Sequence, residues 1–202
     1  MILVTGGAGF VGSHACVALA NAGYELVIVD DLSNASEDVF KRLADITGKS
    51  FTFVKGDIRD RECLRGVFSR YEISAVMHFA GLKAVRESVK HPFKYYSVNV
   101  AGTLTLLEVM REFHCKSIVF SSSATVYGDP DRVPVPETAP LRPSNPYSRS
   151  KLAVKERSAR RFHLGQRSMN NISGKRSRNW RCNPSHSIID STSDTARVSG
   201  WT

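Results

Sequence analysis

The chain has 202 residues, 42% of them hydrophobic, and a formal net charge of +9, which is enough apolar content for one packed domain. No apolar run approaches the roughly 18 residues of a membrane-spanning helix, and the apolar start breaks at Gly6 without the basic flank of a signal peptide, so a membrane or secreted protein is not expected. Nine Lys and Arg but two acids follow residue 156, so the basic charge lies there, and the nearly neutral remainder gives no reason to expect a specific nucleic-acid partner.

Strand-like and helix-like patterns alternate through the first 156 residues. The predicted strands are Ile2–Thr5, Glu25–Val29, Phe51–Lys55, Ala75–Phe79 and Ser117–Ser121. The predicted helices are Val11–Ala22, Glu37–Ile46, Arg61–Arg70, Phe93–Glu112 and a last one that starts near Tyr147. Continuous apolar strands that alternate with helices indicate a sheet covered on both faces. The chain is therefore predicted to be an α/β protein with a doubly wound, Rossmann-like parallel sheet.

This alternation stops after Glu156. The sequence that follows is rich in Ser, Arg and Asn, and no strand or helix period persists through it. We expect an incomplete domain over residues 1–161 and a disordered basic tail, open to binding polyanions, over residues 162–202. The four cysteines lack CxxC spacing, which favours reduced thiols in a cytoplasmic protein, and no metal site is predicted.

Three glycines, Gly6, Gly9 and Gly12, follow the first predicted strand with the spacing of a dinucleotide-binding turn. In such a turn the first glycine allows a sharp bend, the second lets the backbone approach a pyrophosphate and the third lets the helix pack closely. Asp30 ends the second strand 18 residues after Gly12, where its carboxylate can bind both ribose hydroxyls. The adjacent Asp31, with no Arg close behind it, favours NAD over NADP. The alternative is a tight turn that serves no ligand.

The stretch GDIRD follows the third predicted strand. Within it, Asp57 and Ile58 would lie at the carboxyl edge of the sheet, where an adenine ring can rest. An ordinary aspartate that N-caps the next helix explains the same stretch equally well. Both interpretations of Asp57 are therefore kept.

Groups suited to proton transfer follow the fifth predicted strand. SSSATVYG places three serine hydroxyls at the end of that strand, and NPYSRSK places Tyr147 and Lys151 on one face of a helix that begins at Pro146. A phenol is a weak base at neutral pH, but a nearby ammonium and a positive nicotinamide ring favour the phenolate. Such a group can take a proton from a sugar hydroxyl as hydride leaves the same carbon. The alternative is a chance YxxxK on a helix.

Seven stretches of residues 1–156 together resemble one family. In order they are TGGAGFVGSH, VDDLSNAS, GDIRD, HFAGLKAVRES, YYSVNVAGT, SSSATVYGD and SNPYSRSKLAVKE. With these stretches the chain resembles the extended short-chain dehydrogenase/reductase family and, within it, the UDP-glucose 4-epimerases. FAGLKAVRES is the stretch most typical of the epimerases, because related dehydratases and decarboxylases share the glycines and the YxxxK pair.

The resemblance implies a tightly held NAD that is not consumed while UDP-glucose and UDP-galactose interconvert through a 4-keto sugar. The residues it implies for cofactor binding are Gly6, Gly9, Phe10, Val11, Gly12, Asp30, Asp31, Asn34, Asp57, Ile58, Phe79, Ala80, Gly81, Lys83, Asn99, Tyr147 and Lys151. By the same resemblance, Tyr147 would abstract the proton of the sugar 4-hydroxyl, Ser123 would hydrogen-bond the reacting oxygen, and Lys151 would hold the nicotinamide ribose. The helix after residues 79–88 would form a homodimer surface.

The resemblance breaks off near Glu156, which predicts a frameshift, either natural or a sequencing error. The family continues with a sixth strand and a substrate-binding half, so the fifth strand is expected here to be an unpaired apolar edge. We therefore expect little or no epimerase activity. The alternatives are a non-catalytic NAD-binding remnant and another nucleotide-sugar enzyme of the same superfamily.

Overall fold

A computed structural model describes residues 1–158 and 163–164 of the chain. The strands are β1 (Ile2–Thr5), β2 (Leu26–Asp30), β3 (Thr52–Lys55), β4 (Ala75–His78), β5 (Ser117–Phe120) and β6 (His163–Leu164). The α-helices are α1 (Phe10–Asn21), α2 (Asp38–Thr47), α3 (Arg61–Arg70), α4 (Val85–Lys90), α5 (Pro92–Tyr95), α6 (Thr103–Glu112) and α7 (Pro146–Ser158). Most of the predicted disordered tail lies outside the described residues.

The six strands form one parallel sheet in the order β3-β2-β1-β4-β5-β6. The order reverses at β1, which pairs with β2 on one side and β4 on the other, so that Thr5 lies beside both Val29 and His78. In a doubly wound sheet, ligands bind in the crevice at the carboxyl ends of the strands next to such a reversal. The predicted fold class is confirmed, and the topology locates the candidate site.

Apolar side chains cover both faces of the sheet because successive strand residues point to opposite sides. On one face, Leu3 and Val76 pack with Leu106 of α6 and with side chains of α3 in the larger core cluster. On the other face, Val4 and Ile28 pack with Cys16 of α1 and with α2. The two clusters pack the strands from both sides, which sets where the loops after the strands begin.

The helical run over residues 92–112 differs from the regular helix predicted at Phe93–Glu112. It begins as α5, widens into a π-helical segment, Tyr96–Gly102, and continues as α6. Two short helices were not predicted: α4, which lies in the loop after β4, and a 3₁₀ helix, Ala124–Tyr127, after β5. Both are too short to show a readable apolar period.

The edge of the sheet at β5 requires a correction. The sequence predicted an unpaired strand there, but β6 pairs with β5 in parallel through Ser117–His163 and Ile118–Leu164. The pairing extends over the first half of β5, because β6 has two residues. Across the described ranges, none of the helices combines the length and the apolar character needed to cross a bilayer.

Candidate active site

The turn after β1 is packed so closely against other backbone that it has no space for side chains at two of its glycines. Gly6 has φ +73°, and a Cβ added to it would lie 2.6 Å from Ala80 Cα, inside the loop after β4. A Cβ on Gly12 would collide with the backbone of Gly6 and Gly7. The steric need for glycine at positions 6 and 12 therefore comes from the crossing of two loops and from the packing of α1 against the turn itself.

The N-terminus of α1 faces the crevice with unpaired donors. Gly9 is the N-cap and supplies no side-chain cap, and the first helical bond runs from the Ser13 N–H to the Gly9 carbonyl at 2.8 Å. The N–H groups of the first turn, at Phe10, Val11 and Gly12, have no partner within the helix. Such donors, together with the positive end of the helix dipole, fit a diphosphate.

Asp30 lies beside this turn at the end of β2 and is 9% exposed. Its Oδ2 accepts the Ala8 N–H at 3.0 Å, and its Oδ1 accepts the Leu32 N–H at 2.9 Å. Burial raises the pKa of Asp30, and the two backbone donors oppose that rise. Each carboxylate oxygen keeps a free lone pair, which fits a pair of ribose hydroxyls. Asp31 instead accepts bonds from Ser33 within the next turn.

The loop after β3 decides between the two interpretations of Asp57. The N-cap of α3 is Asp60, whose Oδ1 accepts the Cys63 N–H at 3.0 Å, so the interpretation of Asp57 as the N-cap of that helix is wrong. The Asp57 carboxylate instead binds the guanidinium of Arg59, and Ile58 lies buried beside it at 4% exposure. Asp57 and Ile58 thus lie at the carboxyl edge of the sheet, as predicted.

The loop after β4 crosses the glycine turn and is anchored at both ends. The N–H groups of Phe79 and Ala80 both donate to the Thr5 carbonyl, at 2.8 and 3.0 Å. Asn99 clamps the far end of the loop: its Oδ1 accepts the Leu82 N–H at 2.8 Å and its Nδ2 donates to the Leu82 carbonyl at 3.0 Å. Among the predicted cofactor residues, Asn99 is buried, whereas Asn34 and Lys83 are exposed.

Lys151 is almost fully buried between α7 and β5. Its Nζ donates to the Ser121 carbonyl at 3.0 Å and lies 4.8 Å from the centre of the Phe120 ring. Burial lowers the pKa of Lys151 from 10.5 to about 8. A Cβ on Gly81 would lie 3.6 Å from the same Nζ, which puts the ammonium directly beside the loop after β4.

Tyr147 lies one turn before Lys151 on α7 and is 8% exposed. Its ring meets the edge of the Tyr95 ring, with centroids 6.4 Å apart. The Tyr95 hydroxyl is held on α4 by the Ala84 carbonyl at 2.8 Å and the Glu87 carboxylate at 2.9 Å. Burial and the Glu87 carboxylate raise the pKa of Tyr95 to about 12, so of these two phenols Tyr95 is poorly suited to act as a base.

The three serines after β5 have different surroundings. Ser121 supplies the carbonyl that anchors Lys151. Ser122 is buried, and its Oγ has no hydrogen-bond partner within the described part of the chain. Ser123 caps the 3₁₀ helix, since its Oγ accepts the Thr125 N–H at 3.3 Å and lies 2.9 Å from the Thr125 hydroxyl. Because α7 packs against that 3₁₀ helix, the segments that carry Ser123, Tyr147 and Lys151 meet near the end of β5.

Known proteins are similar to this chain in sequence and in fold. The sequence profile of the family described as GDP-mannose 4,6 dehydratase matches residues 3–175. The chain belongs to this family. The match reaches beyond the described residues and into the segment that was predicted to be unrelated to the family.

Individual curated relatives are similar over about three quarters of this chain. UDP-glucose 4-epimerase of Bacillus subtilis is 54% identical over 155 residues, which is 77% of this chain and 46% of the relative. The Dictyostelium discoideum UDP-glucose 4-epimerase is 55% identical over 153 residues, 76% of this chain and 44% of the relative. The chain thus spans about half the length of the curated relatives it matches.

Solved structures of UDP-glucose 4-epimerases share the fold. The UDP-glucose 4-epimerase of Stenotrophomonas maltophila, solved with bound NAD and formylated UDP-arabinopyranose, has a TM-score of 0.77 at 47% identity, over 79% of this chain and 47% of that one. The enzyme of Bifidobacterium longum, in complex with NAD⁺ and UDP, has a TM-score of 0.76 at 46% identity, over 78% and 47% of the two chains.

This family member also has a buried polar chain that sequence reasoning missed. His78 is fully buried; its Nδ1 accepts the Thr5 hydroxyl at 2.6 Å and its Nε2 lies 2.8 Å from the Thr103 hydroxyl. Thr103 donates onward to the Asn99 carbonyl at 2.6 Å, so His78 is the donor at Nε2. Burial, and to a lesser degree the Lys151 charge, lowers the pKa of His78 to about 3. The signal was a polar residue at the end of an otherwise apolar strand.

Proposed function

We propose that this chain binds NAD and carries the proton-transfer residues of a UDP-glucose 4-epimerase. The observation that carries the proposal is the position of Tyr147 and Lys151, buried on one face of α7 beside the loop that crosses the glycine turn. Proton-transfer groups and a dinucleotide cradle at one sheet edge are what a redox step on a sugar hydroxyl needs. Similarity to UDP-glucose 4-epimerases over 77% of the chain supports the same conclusion.

The cradle would hold the dinucleotide in three places. The unpaired N–H groups after Gly9 would bind the diphosphate, Asp30 would accept from the adenosine ribose, and Asp57 with Ile58 would border the adenine. Bound NAD would supply a hydride acceptor, and in its reduced form a hydride donor, at the nicotinamide. The remaining predicted cofactor residues stay proposals on the strength of the resemblance.

The reacting end would then move one proton. The Tyr147 phenolate oxygen takes the proton of the sugar 4-hydroxyl and later returns it, so the chain releases no net proton. The Lys151 ammonium, held at 3.0 Å from the Ser121 carbonyl, can donate to the nicotinamide ribose. Ser123 would donate a hydrogen bond to the reacting oxygen, and its proton is free to do so when the Thr125 hydroxyl donates the bond between the two side chains.

The proposed substrates are UDP-glucose and UDP-galactose, and the proposed assembly is a homodimer. An exposed apolar surface supports the dimer: Val89 is 62% exposed, Phe93 88% and Tyr96 40%, all in or next to α4 and α5. Apolar side chains grouped in this way mark interaction surfaces. A cytoplasmic location is proposed with them.

The test measures cofactor and turnover on one preparation of the full chain. NAD released by acid from the gel-filtration peak reports binding, and conversion of UDP-galactose to UDP-glucose reports catalysis. The matched control is Tyr147→Phe, which keeps the ring against Tyr95 and removes the base; we expect it to keep NAD and to lose about a thousandfold in turnover.

Each outcome has a distinct meaning. Bound NAD with turnover supports the whole proposal, whereas bound NAD without turnover in the unsubstituted chain leaves a non-catalytic NAD-binding protein. That second result would also agree with the expectation of impaired activity. Net formation of NADH with a UDP-sugar would indicate a different reaction of the same superfamily, and a folded chain without NAD contradicts the proposal.

A further inference from the structure

Arg59 lies at the adenosine end of the proposed NAD site, where the sequence predicted no role for it. It follows β3, next to the strand that ends in Asp30, and the Gly56 N–H joins the two strand ends by donating to the Asp30 carbonyl at 3.1 Å. The Asp57 carboxylate raises the pKa of Arg59, and the more distant Asp31 adds to the rise. The guanidinium is therefore within electrostatic range of Asp31, which adjoins the carboxylate proposed to bind the adenosine ribose.

The Arg59 guanidinium is occupied by Asp57. Nε lies 3.1 Å from Oδ1 and 2.9 Å from Oδ2, and Nη2 donates to Oδ2 at 2.5 Å. The Arg59 backbone N–H adds a bond to Oδ1 at 2.8 Å. The side-chain bond to Arg59 lowers the pKa of Asp57, so both partners are charged at neutral pH. Asp57 thus fills the side of the guanidinium fork that a phosphate would use.

The π-helical segment packs against Arg59 and fixes its position. A Cβ added to Gly102 would lie 2.8 Å from Ile58 Cδ1 and 3.2 Å from Arg59 Cγ, so the loop rests directly on the helix backbone. The Arg59 Nη1 also donates to the Ser97 hydroxyl at 3.3 Å. The guanidinium is therefore held at this edge even though 47% of its side chain is exposed.

We propose that Asp57 helps to set the preference for NAD by occupying Arg59, which withholds the guanidinium from the 2′-phosphate of NADP. An Arg near the adenosine ribose is the residue that accommodates a 2′-phosphate in dinucleotide-binding folds. Carboxylate and phosphate accept from the same two guanidinium N–H groups, so Asp57 acts as an internal competitor. This inference rests on the proposed function, because it concerns the same dinucleotide site.

The test is a pair of dissociation constants, for NAD⁺ and for NADP⁺, measured by calorimetry on the full chain. In Asp57→Asn the amide no longer carries the competing charge, and the ratio of the two affinities should move toward NADP⁺ by about tenfold, the size of one charge-assisted hydrogen bond. In the double variant Asp57→Asn with Arg59→Gln that gain should disappear. An unchanged ratio in Asp57→Asn, or a gain that survives in the double variant, overturns the proposal.

Two further measurements separate a failed inference from a failed function or a failed fold. The unsubstituted chain should bind NAD⁺; if it binds neither dinucleotide, the proposed function is contradicted and this inference with it. If Asp57→Asn does not fold, Arg59→Gln alone decides. Arg59→Gln leaves the Asp57 carboxylate without its cation, and this uncompensated negative charge should weaken NADP⁺ binding about threefold more than NAD⁺ binding. An affinity ratio that stays unchanged or moves toward NADP⁺ overturns the proposal.

Discussion

The two ends of the candidate site are built in opposite ways. At the carboxyl end of β1, the glycine turn is defined by side chains that are missing, because added Cβ atoms at Gly6 and Gly12 would meet backbone. At the carboxyl ends of β4 and β5, the site is defined by polar side chains that are buried, with His78 fully enclosed and Lys151 6% exposed.

The difference shows which physical term controls each end. At the glycine turn the controlling term is steric, so a single added methyl group is felt regardless of pH. At the reacting end the controlling term is desolvation, which changes the charge state of His78 and Lys151 and makes the stability depend on pH. The stability change caused by a substitution at the glycine turn should therefore be the same at every pH, whereas that of a substitution at His78 or Lys151 should vary with pH.

The largest effect is expected at the glycine turn. Gly6→Ala places a methyl group against Ala80 at a positive φ, and we expect the free energy of unfolding to fall by at least about 4 kcal/mol, with loss of NAD binding. Gly23→Ala is the matched control: it also has positive φ, +88°, but no atom within 4 Å of the added Cβ, so about 1 kcal/mol is expected. Urea unfolding measures both, and equal losses would refute a steric origin.

The next effect belongs to His78 and the acid range. Folded His78 stays neutral down to about pH 3, whereas an unfolded histidine takes up a proton below about 6.5. Between these values the unfolded state binds more protons, so stability is lost as the pH falls. Relative to His78→Gln, the unsubstituted chain should lose about 3 kcal/mol between pH 7 and 4.5. Urea unfolding curves that shift in parallel for both proteins would disagree with a buried neutral His78.

Lys151 should act in the alkaline range with the same sign. Its folded pKa of about 8 lies below the unfolded 10.5, so the unfolded state binds more protons in between and stability rises with pH. Buried Cys16 and Tyr95, with pKa values raised to about 12, oppose this rise in every variant. From pH 8 to 10 the free energy of unfolding of the unsubstituted chain should therefore rise by about 2 kcal/mol relative to that of Lys151→Met. A constant difference in urea midpoints would contradict the lowered pKa.

The smallest effect lies away from both ends and gives a baseline. Gly66 is an exposed glycine inside α3, and an added Cβ there meets no atom within 4 Å. Gly66→Ala should raise the free energy of unfolding by about 1 kcal/mol at every pH. Gly48→Ala, at the left-handed C-cap of α2, should instead lower it by about 1 kcal/mol. Thermal unfolding of both variants checks these two values. If the stability change of Gly66→Ala varied with pH, a pH-dependent change could no longer be assigned to the buried groups at the reacting end.

The features predicted correctly from the sequence are those that local patterns encode. Strand bounds fall within a residue or so of the prediction, and Arg61–Arg70 matches as predicted. Asp30 lies beside the glycine turn because β1 and β2 are neighbouring parallel strands, so the residues that follow both strands meet at the same edge of the sheet. Tyr147 and Lys151 share a helix face because helical periodicity requires it.

The features that were missed depend on contacts between distant segments. The pairing of β6 with β5 joins residues far apart in the chain, and the two residues of β6 are too few to show the alternating pattern of a strand. The Thr5–His78–Thr103 chain needs the sheet register and the helix position together. Asp57 was open to two interpretations because an N-cap and a loop carboxylate look alike in sequence until Asp60 is seen to cap α3.

The π-helical segment, Tyr96–Gly102, makes the central helix unusually intolerant of insertions and deletions. Removing one residue would restore regular α-helical winding and would change the directions in which the side chains of this segment point. Asn99 clamps Leu82 on one side of the segment, while Thr103, just past its end, meets His78 on another. Both contacts depend on the extra residue in the turn, so a length change here should be purged by selection more strongly than most single substitutions in the same helix.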